Sequence, residues 1–314
     1  MSELILHHYA GSPFSEKMRL VLGYKGLSWR SVNVPVILPK PDVVALTGGY
    51  RRTPFMQIGA DIYCDTALMC QVIEALHPAP TLYPAEAGGM AQILAQWADT
   101  DLFWVAIPYT MQPAGAAAIF AGMPPEMLQA FGADRAAMTV GMKRPSARDG
   151  AAALTSYLSW LDQLLADGRN FLCGPAPSVA DFSAAQSVWY IRRAPPVAGI
   201  LEPFTKLAAW FERVAAIGHG SSSKLPAAEA LALAQASEPL PAVVEPGLGF
   251  EAGQRLSVAP TDYASDPVAG ELVGLTETSV TLRRTDERAG TVHVHFPRIG
   301  YALRKQEQQE ASRP

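Results

Sequence analysis

The spacing of apolar residues changes twice along this chain, and each change marks a change of architecture. Near the start, Leu4-Ile5-Leu6 reads as a short strand. Phe14, Met18, Val21 and Leu22 follow at i, i+4, i+7 and i+8, the stripe of a helix with one buried face. Residues 29–34 read as a second strand. Phe55-Met56-Gln57-Ile58, a Gly59-Ala60 turn and Ile62-Tyr63-Cys64 predict a hairpin, and Asp65-Thr66 then opens a helix through Leu76. Strand, helix, strand, helix or loop, hairpin and helix in that order predict a mixed α/β layer over 1–80. Three prolines among residues 78–84 cannot continue a helix, so the first boundary falls there.

The period then becomes helical, with Ala- and Leu-rich stretches at 90–105 and 151–166, and an all-helical domain is predicted over 86–238. Residues 112–125, rich in Gly, Ala and Pro, interrupt it as a loop or short broken helices near a cleft. Ser178-Val179-Ala180-Asp181 has the spacing of a capping box, which supports the fold rather than a reaction. Past a proline cluster at 239–246 the period drops to two. Val280 and Leu282 alternate with Thr281 and Arg283, as do Val292, Val294 and Phe296 with His293 and His295. With further strands at 255–259 and 268–275, residues 247–305 predict a small all-β module, for which a barrel is one way to close. A disordered polar tail is expected over 306–314.

Composition narrows the partners. Hydrophobic residues at 49% and charged residues at 17% over 314 positions suit a globular chain with more than one core. No run reaches the roughly 18 apolar residues of a membrane span, so no membrane association is expected. No basic residue precedes the first apolar run, so no signal peptide is read and a cytoplasmic location is expected. Cys64, Cys70 and Cys173 are too few for a disulfide framework and lack metal-ligand spacing, which fits a reducing compartment. A net charge of −4, with ten acidic against eight basic residues over 240–314, offers nucleic acid no electrostatic footprint. His293 and His295 share a strand face, but nothing completes a metal site and none is expected.

Candidate chemistry gathers at the start of the first helix. Pro13 has a φ suited to the first helical position and no N–H to lose, and Ser12 before it is a good N-cap. Ser12 therefore presents a hydroxyl where backbone N–H groups and the positive end of the helix dipole converge, a place that favours an anion such as a thiolate. Serving only as a cap is the alternative. Tyr9, at the end of the first strand, is the rival hydroxyl.

Five local motifs, in order, carry a resemblance to a known family. They are Gly11-Ser12-Pro13-Phe14-Ser15-Glu16-Lys17-Met18-Arg19, Lys40-Pro41, Thr53-Pro54-Phe55-Met56, Asp65-Thr66, and Asn170-Phe171-Leu172-Cys173-Gly174 with the capping box after it. Over about three quarters of the chain this resembles the cytosolic glutathione transferase superfamily, with a first-helix motif like the omega and tau classes but Ser where omega has Cys. The resemblance implies an α/β thioredoxin-like N-terminal domain and an all-α helical domain, here followed by the β module.

It also implies a glutathione site. Lys40 would meet the glycine carboxylate, Thr53 and the cis-proline Pro54 would pair with the cysteinyl backbone, and Asp65 and Thr66 would bind the γ-glutamyl group. Physical chemistry agrees: an outward-facing Thr53 backbone can pair with an extended peptide as a strand would, and a helix start holds a carboxylate while Asp65 holds an ammonium. A free thiol titrates near about 8.5, so a hydroxyl from Ser12, or alternatively Tyr9, would enlarge the reactive thiolate fraction. Without Cys at position 12 a mixed-disulfide cycle lacks its nucleophile; Cys64 and Cys70 read as buried apolar residues.

Trp104, Pro108, Tyr109 and Met111 are expected to line an apolar pocket for the second substrate. The implied partners are glutathione and an apolar electrophile, in a homodimer formed between the thioredoxin-like half of one subunit and the helical half of the other. Asp65-Thr66 replaces the family's Glu-Ser, and the extra module is unusual. Two alternatives therefore stand beside the transferase: a catalytically silent binding or scaffolding protein, and a glutathione-dependent isomerase or dehalogenase.

Overall fold

The computed structural model describes residues 3–143 and 145–306, so the tail expected over 306–314 lies, past Gln306, outside the described residues. The first layer is β1 (Leu4–His8), α1 (Pro13–Tyr24), β2 (Ser28–Asn33), α2 (Pro41–Thr47), β3 (Phe55–Ile58), β4 (Asp61–Cys64) and α3 (Thr66–Leu76), the order anticipated. β1 is parallel to β2 and antiparallel to β3, which forms the hairpin with β4.

Helices α4 (Met90–Trp97) and α5 (Phe103–Thr110) are joined by a π-helical turn over Ala98–Leu102. Two helices occupy the stretch expected as a broken region and beyond it, α6 (Pro113–Ile119) and α7 (Pro125–Met138). Then come α8 (Ala147–Leu164), α9 (Val179–Arg192) and α10 (Thr205–Ala215). The anticipated capping box opens α9, and its buried Asp181 accepts four hydrogen bonds, from the Ser178 amide and hydroxyl, the Leu172 amide and Trp210 Nε1, at 2.8–2.9 Å. One carboxylate thereby ties together the helix start, the preceding loop and α10, each bond to the charged group worth about 1.5–3 kcal/mol.

Beyond α10 the chain returns to the first layer. The loop at Gly218 runs so close to α1 that a Cβ on Gly23 would sit 2.0 Å from the Gly218 carbonyl oxygen. It delivers β5 (Ser221–Lys224) parallel to β2, within the stretch expected to be helical. All four of its residues are exposed, so no apolar alternation announces it. Helix α11 (Ala227–Gln235) follows.

The C-terminal strands β6 (Arg255–Pro260), β7 (Val268–Leu275), β8 (Ser279–Asp286), β9 (Gly290–Pro297) and β10 (Tyr301–Lys305) do not close a barrel. Among the described residues, ten strands form one open sheet in the order β10-β6-β7-β8-β9-β4-β3-β1-β2-β5. β9 runs parallel to β4, pairing Asp61 with His293 and Tyr63 with His295. At this seam His295 Nε2 lies 2.8 Å from Asp61 Oδ1, its ring stacks on Tyr63 at 4.5 Å, and the Leu240 amide donates to Asp61 Oδ2 at 2.9 Å. Phe55, Ile62 and Cys64 pack in one apolar cluster with Leu256, Val258, Val280, Val294 and Phe296, so the module and the first layer share a core. Neither could bury that surface alone.

Candidate active site

Ser12 occupies the anticipated place, capping α1 by accepting the Ser15 amide at 3.2 Å. Its hydroxyl donates to the Thr53 carbonyl across 3.4 Å, the outer limit of a useful hydrogen bond. The Thr53–Pro54 peptide bond is cis. Lys40 is buried at the start of α2, where its ammonium reaches the Arg51 carbonyl at 3.4 Å and the Thr53 hydroxyl at 3.5 Å. Asp134 pairs instead with Arg51 at 2.7 Å, and Lys40 has no carboxylate partner among the described residues. Burial, with Arg135 adding to it, lowers its pKa to about 8. Tyr9 lies among Ser12, Arg135 and Arg193, and burial raises its pKa, keeping the phenol protonated.

On the far side of Pro54 lies a cavity of about 270 Å³, just under the roughly 300–1,000 Å³ usual for ligand pockets. Thr53, Pro54, Asp65 and Thr66 line it, whereas Ser12, Tyr9 and Lys40 do not. Asp65 has a left-handed backbone, φ 79°, and caps α3 by accepting the Ala67 amide on Oδ1 at 2.9 Å. Its Oδ2 lies 3.1 Å from the Tyr301 hydroxyl. Thr66 accepts from Lys17 Nζ at 3.0 Å.

Lys17 escapes the sequence reading although a signal was present. It lies between Phe14 and Val21 on the apolar stripe, and a lysine there must be buried and paired. Its side chain is fully buried, with Asp99 Oδ2 at 2.5 Å. Burial opposes its charge, but Asp99, together with Cys70 and Asp65, outweighs that and raises the ammonium pKa. The π-helical turn carries Asp99, whose other oxygen accepts from Gln186 at 2.7 Å.

Arg52, also in the wall, pairs with Asp262 and the Tyr263 carbonyl and lies 3.8 Å over the Tyr263 ring. Asp262, Tyr263, Thr278, Pro297 and Tyr301 thus bring the C-terminal strands and their loops to the cavity, a contribution no local sequence signal announces.

The expected second-substrate pocket is not gathered. Trp104 meets Tyr263 edge-on at 4.9 Å, Tyr109 donates to the Val197 carbonyl at 3.2 Å, Met111 accepts from the Tyr190 hydroxyl at 3.4 Å, and Pro108 is exposed. Trp104, Pro108 and Met111 recur at i, i+4 and i+7 on one helix face, with Tyr109 turned away from them, yet none of the four lines the cavity. Cys64 and Cys70 are buried as anticipated, and burial pushes the Cys70 thiol up to about 11. Both ring nitrogens of His295 are engaged, by Asp61 and Thr281.

Residues 6–81 match the family model "Glutathione S-transferase, N-terminal domain", and residues 141–213 match "Glutathione S-transferase, C-terminal domain". A GST-like protein from Pseudomonas syringae is 40% identical, with 98% of this chain and 100% of that one covered and a TM-score of 0.79. That span includes the C-terminal strands. Human glutathione transferase theta-2, solved with glutathione, is 16% identical and covers 68% of this chain and 82% of its own, at a TM-score of 0.52. The beta-etherase LigF from Sphingobium sp. strain SYK-6 is 17% identical over 69% and 96%, also at 0.52. These last two are likenesses of fold. No curated protein matched the chain.

Proposed function

The chain belongs to the cytosolic glutathione transferase superfamily, and we propose that it holds reduced glutathione at this site and activates the thiol for attack on an apolar electrophile. The observation that carries the reading is the convergence of Thr53, Pro54, Asp65 and Thr66 on a cavity whose walls hold both cations, Lys17 and Arg52, and anions, Asp65 and Asp99. That mixture suits the zwitterionic γ-glutamyl end of the tripeptide. Thr53 links this end to Ser12, whose hydroxyl is 3.4 Å from the Thr53 carbonyl.

In this reading the cysteinyl backbone pairs with Thr53 and Lys40 meets the glycine carboxylate. Ser12 turns its proton from the Thr53 carbonyl to the sulfur. The thiol proton passes to water, the thiolate forms a bond to the electrophilic carbon, and the displaced electron pair departs with the leaving group or enters a conjugated acceptor. Each unit by which the thiol pKa falls is worth about 1.4 kcal/mol. Tyr9 is the second choice for this role, and no metal takes part. The reaction is placed in the cytoplasm.

A homodimer fits the family. The outer edge of β4 is taken by β9, so the apolar surface left for a second subunit near α3 and α4 is that of Leu76, Met90 and Ile93, all exposed. A second reading, a binding protein without turnover, draws on the absence of Ser12 from the cavity wall. Calorimetric titration with reduced glutathione, followed by assay against a panel of apolar electrophiles, tests both. Binding and conjugation are expected; binding without turnover on any of them would leave the second reading, and no binding would end both.

A further inference from the structure

Tyr301 is the first residue of β10, held against β6 opposite Pro260, and its ring packs on Phe296, which in turn packs on Tyr50. Its hydroxyl lies 3.1 Å from Asp65 Oδ2 and 3.2 Å from the Tyr50 hydroxyl. An ionised carboxylate has no proton to give, so Tyr301 donates to Asp65 and Tyr50 is left to donate to the Tyr301 oxygen. Burial keeps both phenols protonated far above neutrality. With the Ala67 amide on its other oxygen, Asp65 is fixed from two sides and retains about two of its four acceptor positions for a cavity occupant.

The same C-terminal region holds the opposite charge. Asp262 and the Tyr263 carbonyl fix the Arg52 guanidinium over the Tyr263 ring. Beside the cavity a cation and an anion are therefore each oriented by residues beyond position 260.

We propose that Tyr301 is a positioning residue for the recognition of an ammonium group: the C-terminal strands supply, from the same chain, the hydroxyl that aims the Asp65 carboxylate at the α-ammonium of the ligand. The inference rests on the glutathione reading above and adds that the amino-acid end of the ligand is read only with β10 docked. The β module is then part of the binding site.

The test is calorimetry on the full chain with reduced glutathione and with N-acetylglutathione, which lacks the ammonium charge. Tyr301→Phe keeps the ring packing and removes only the hydroxyl. It is expected to weaken glutathione binding about tenfold, the effect of one hydrogen bond to a charged group. Binding of the acetylated ligand, weaker from the outset, should be equal in both proteins. In the conjugation assay KM for glutathione rises while kcat holds. Tyr50→Phe, which removes the donor behind Tyr301 without touching Asp65, should shift affinity in the same direction by a smaller factor.

Equal glutathione affinity in parent and Tyr301→Phe overturns the inference. Parallel losses for both ligands overturn it as well, since they would mark general loosening. So does tighter binding by the variant, which would make Tyr301 a plug. If the parent chain binds no glutathione, the functional reading falls and takes the inference with it; if the parent binds and the variant matches it, the inference falls alone.

Discussion

At the Asp65 end of the cleft, Lys17, Asp65, Asp99 and Arg52 each have charged or hydroxyl partners, with ordinary or short hydrogen bonds. The Ser12 end is different: its hydroxyl reaches its acceptor across 3.4 Å, and Lys40 touches a carbonyl and a hydroxyl at 3.4 and 3.5 Å. The first end is organised before any ligand arrives, so little ordering remains to be paid on binding. Groups at the second make only long hydrogen bonds, so a thiolate or carboxylate placed there gains shorter ones. In the proposed reading the first group of residues holds the γ-glutamyl end, and the second serves the central cysteinyl thiol and the glycine carboxylate.

The contrast breaks most severely at Lys17. Lys17→Met would leave the largely buried Asp99 without its cation, held by Gln186, and urea denaturation should show a loss of about 3 kcal/mol, partly restored by adding Asp99→Asn. A variant as stable as the parent would show that the Asp65 end is not the rigid one. Next in size, Ser12→Ala should reduce conjugation about tenfold at neutral pH, the equivalent of one unit of thiol pKa, with glutathione affinity nearly unchanged. Tyr9→Phe should leave turnover as it was, and the reverse result would exchange the roles of the two hydroxyls.

The smallest effect sharpens the comparison through pH. Lys40 is charged below its pKa of about 8 and loses its proton above it. If it grips the glycine carboxylate, affinity for S-methylglutathione, which has no thiol to titrate, should be full at lower pH and weaken as pH rises past about 8. Lys40→Met should bind about fivefold more weakly at pH 7, on the scale of a modest ion pair, and abolish that pH dependence. A flat titration in the parent would place the carboxylate elsewhere.

Much of this was legible in the sequence because it is locally encoded. The stripe of α1, the hairpin of β3 and β4 and the Ser178–Asp181 box are short-range patterns, and they fold as read. The C-terminal strands were legible as strands, since Leu256, Val258, Val280 and Val292 are buried at alternate positions. Their partner was not. Pairing of β4 with β9 joins residues 61–63 to 293–295, and nothing in either segment's period encodes a register across that separation. The same gap hid Tyr301, which is unremarkable until β10 lies beside Asp65.

The β4–β9 seam also bears on how the molecule is made. Synthesis delivers the N-terminal layer first, and residues 61–64 emerge long before the strand that will cover them. Throughout that interval the unsatisfied backbone of β4 is a template open to any other extended segment, including another nascent copy. Protection arrives only when residues 290–297 have left the ribosome, so a translational stall shortly before that point would release a chain prone to pairing with its neighbours.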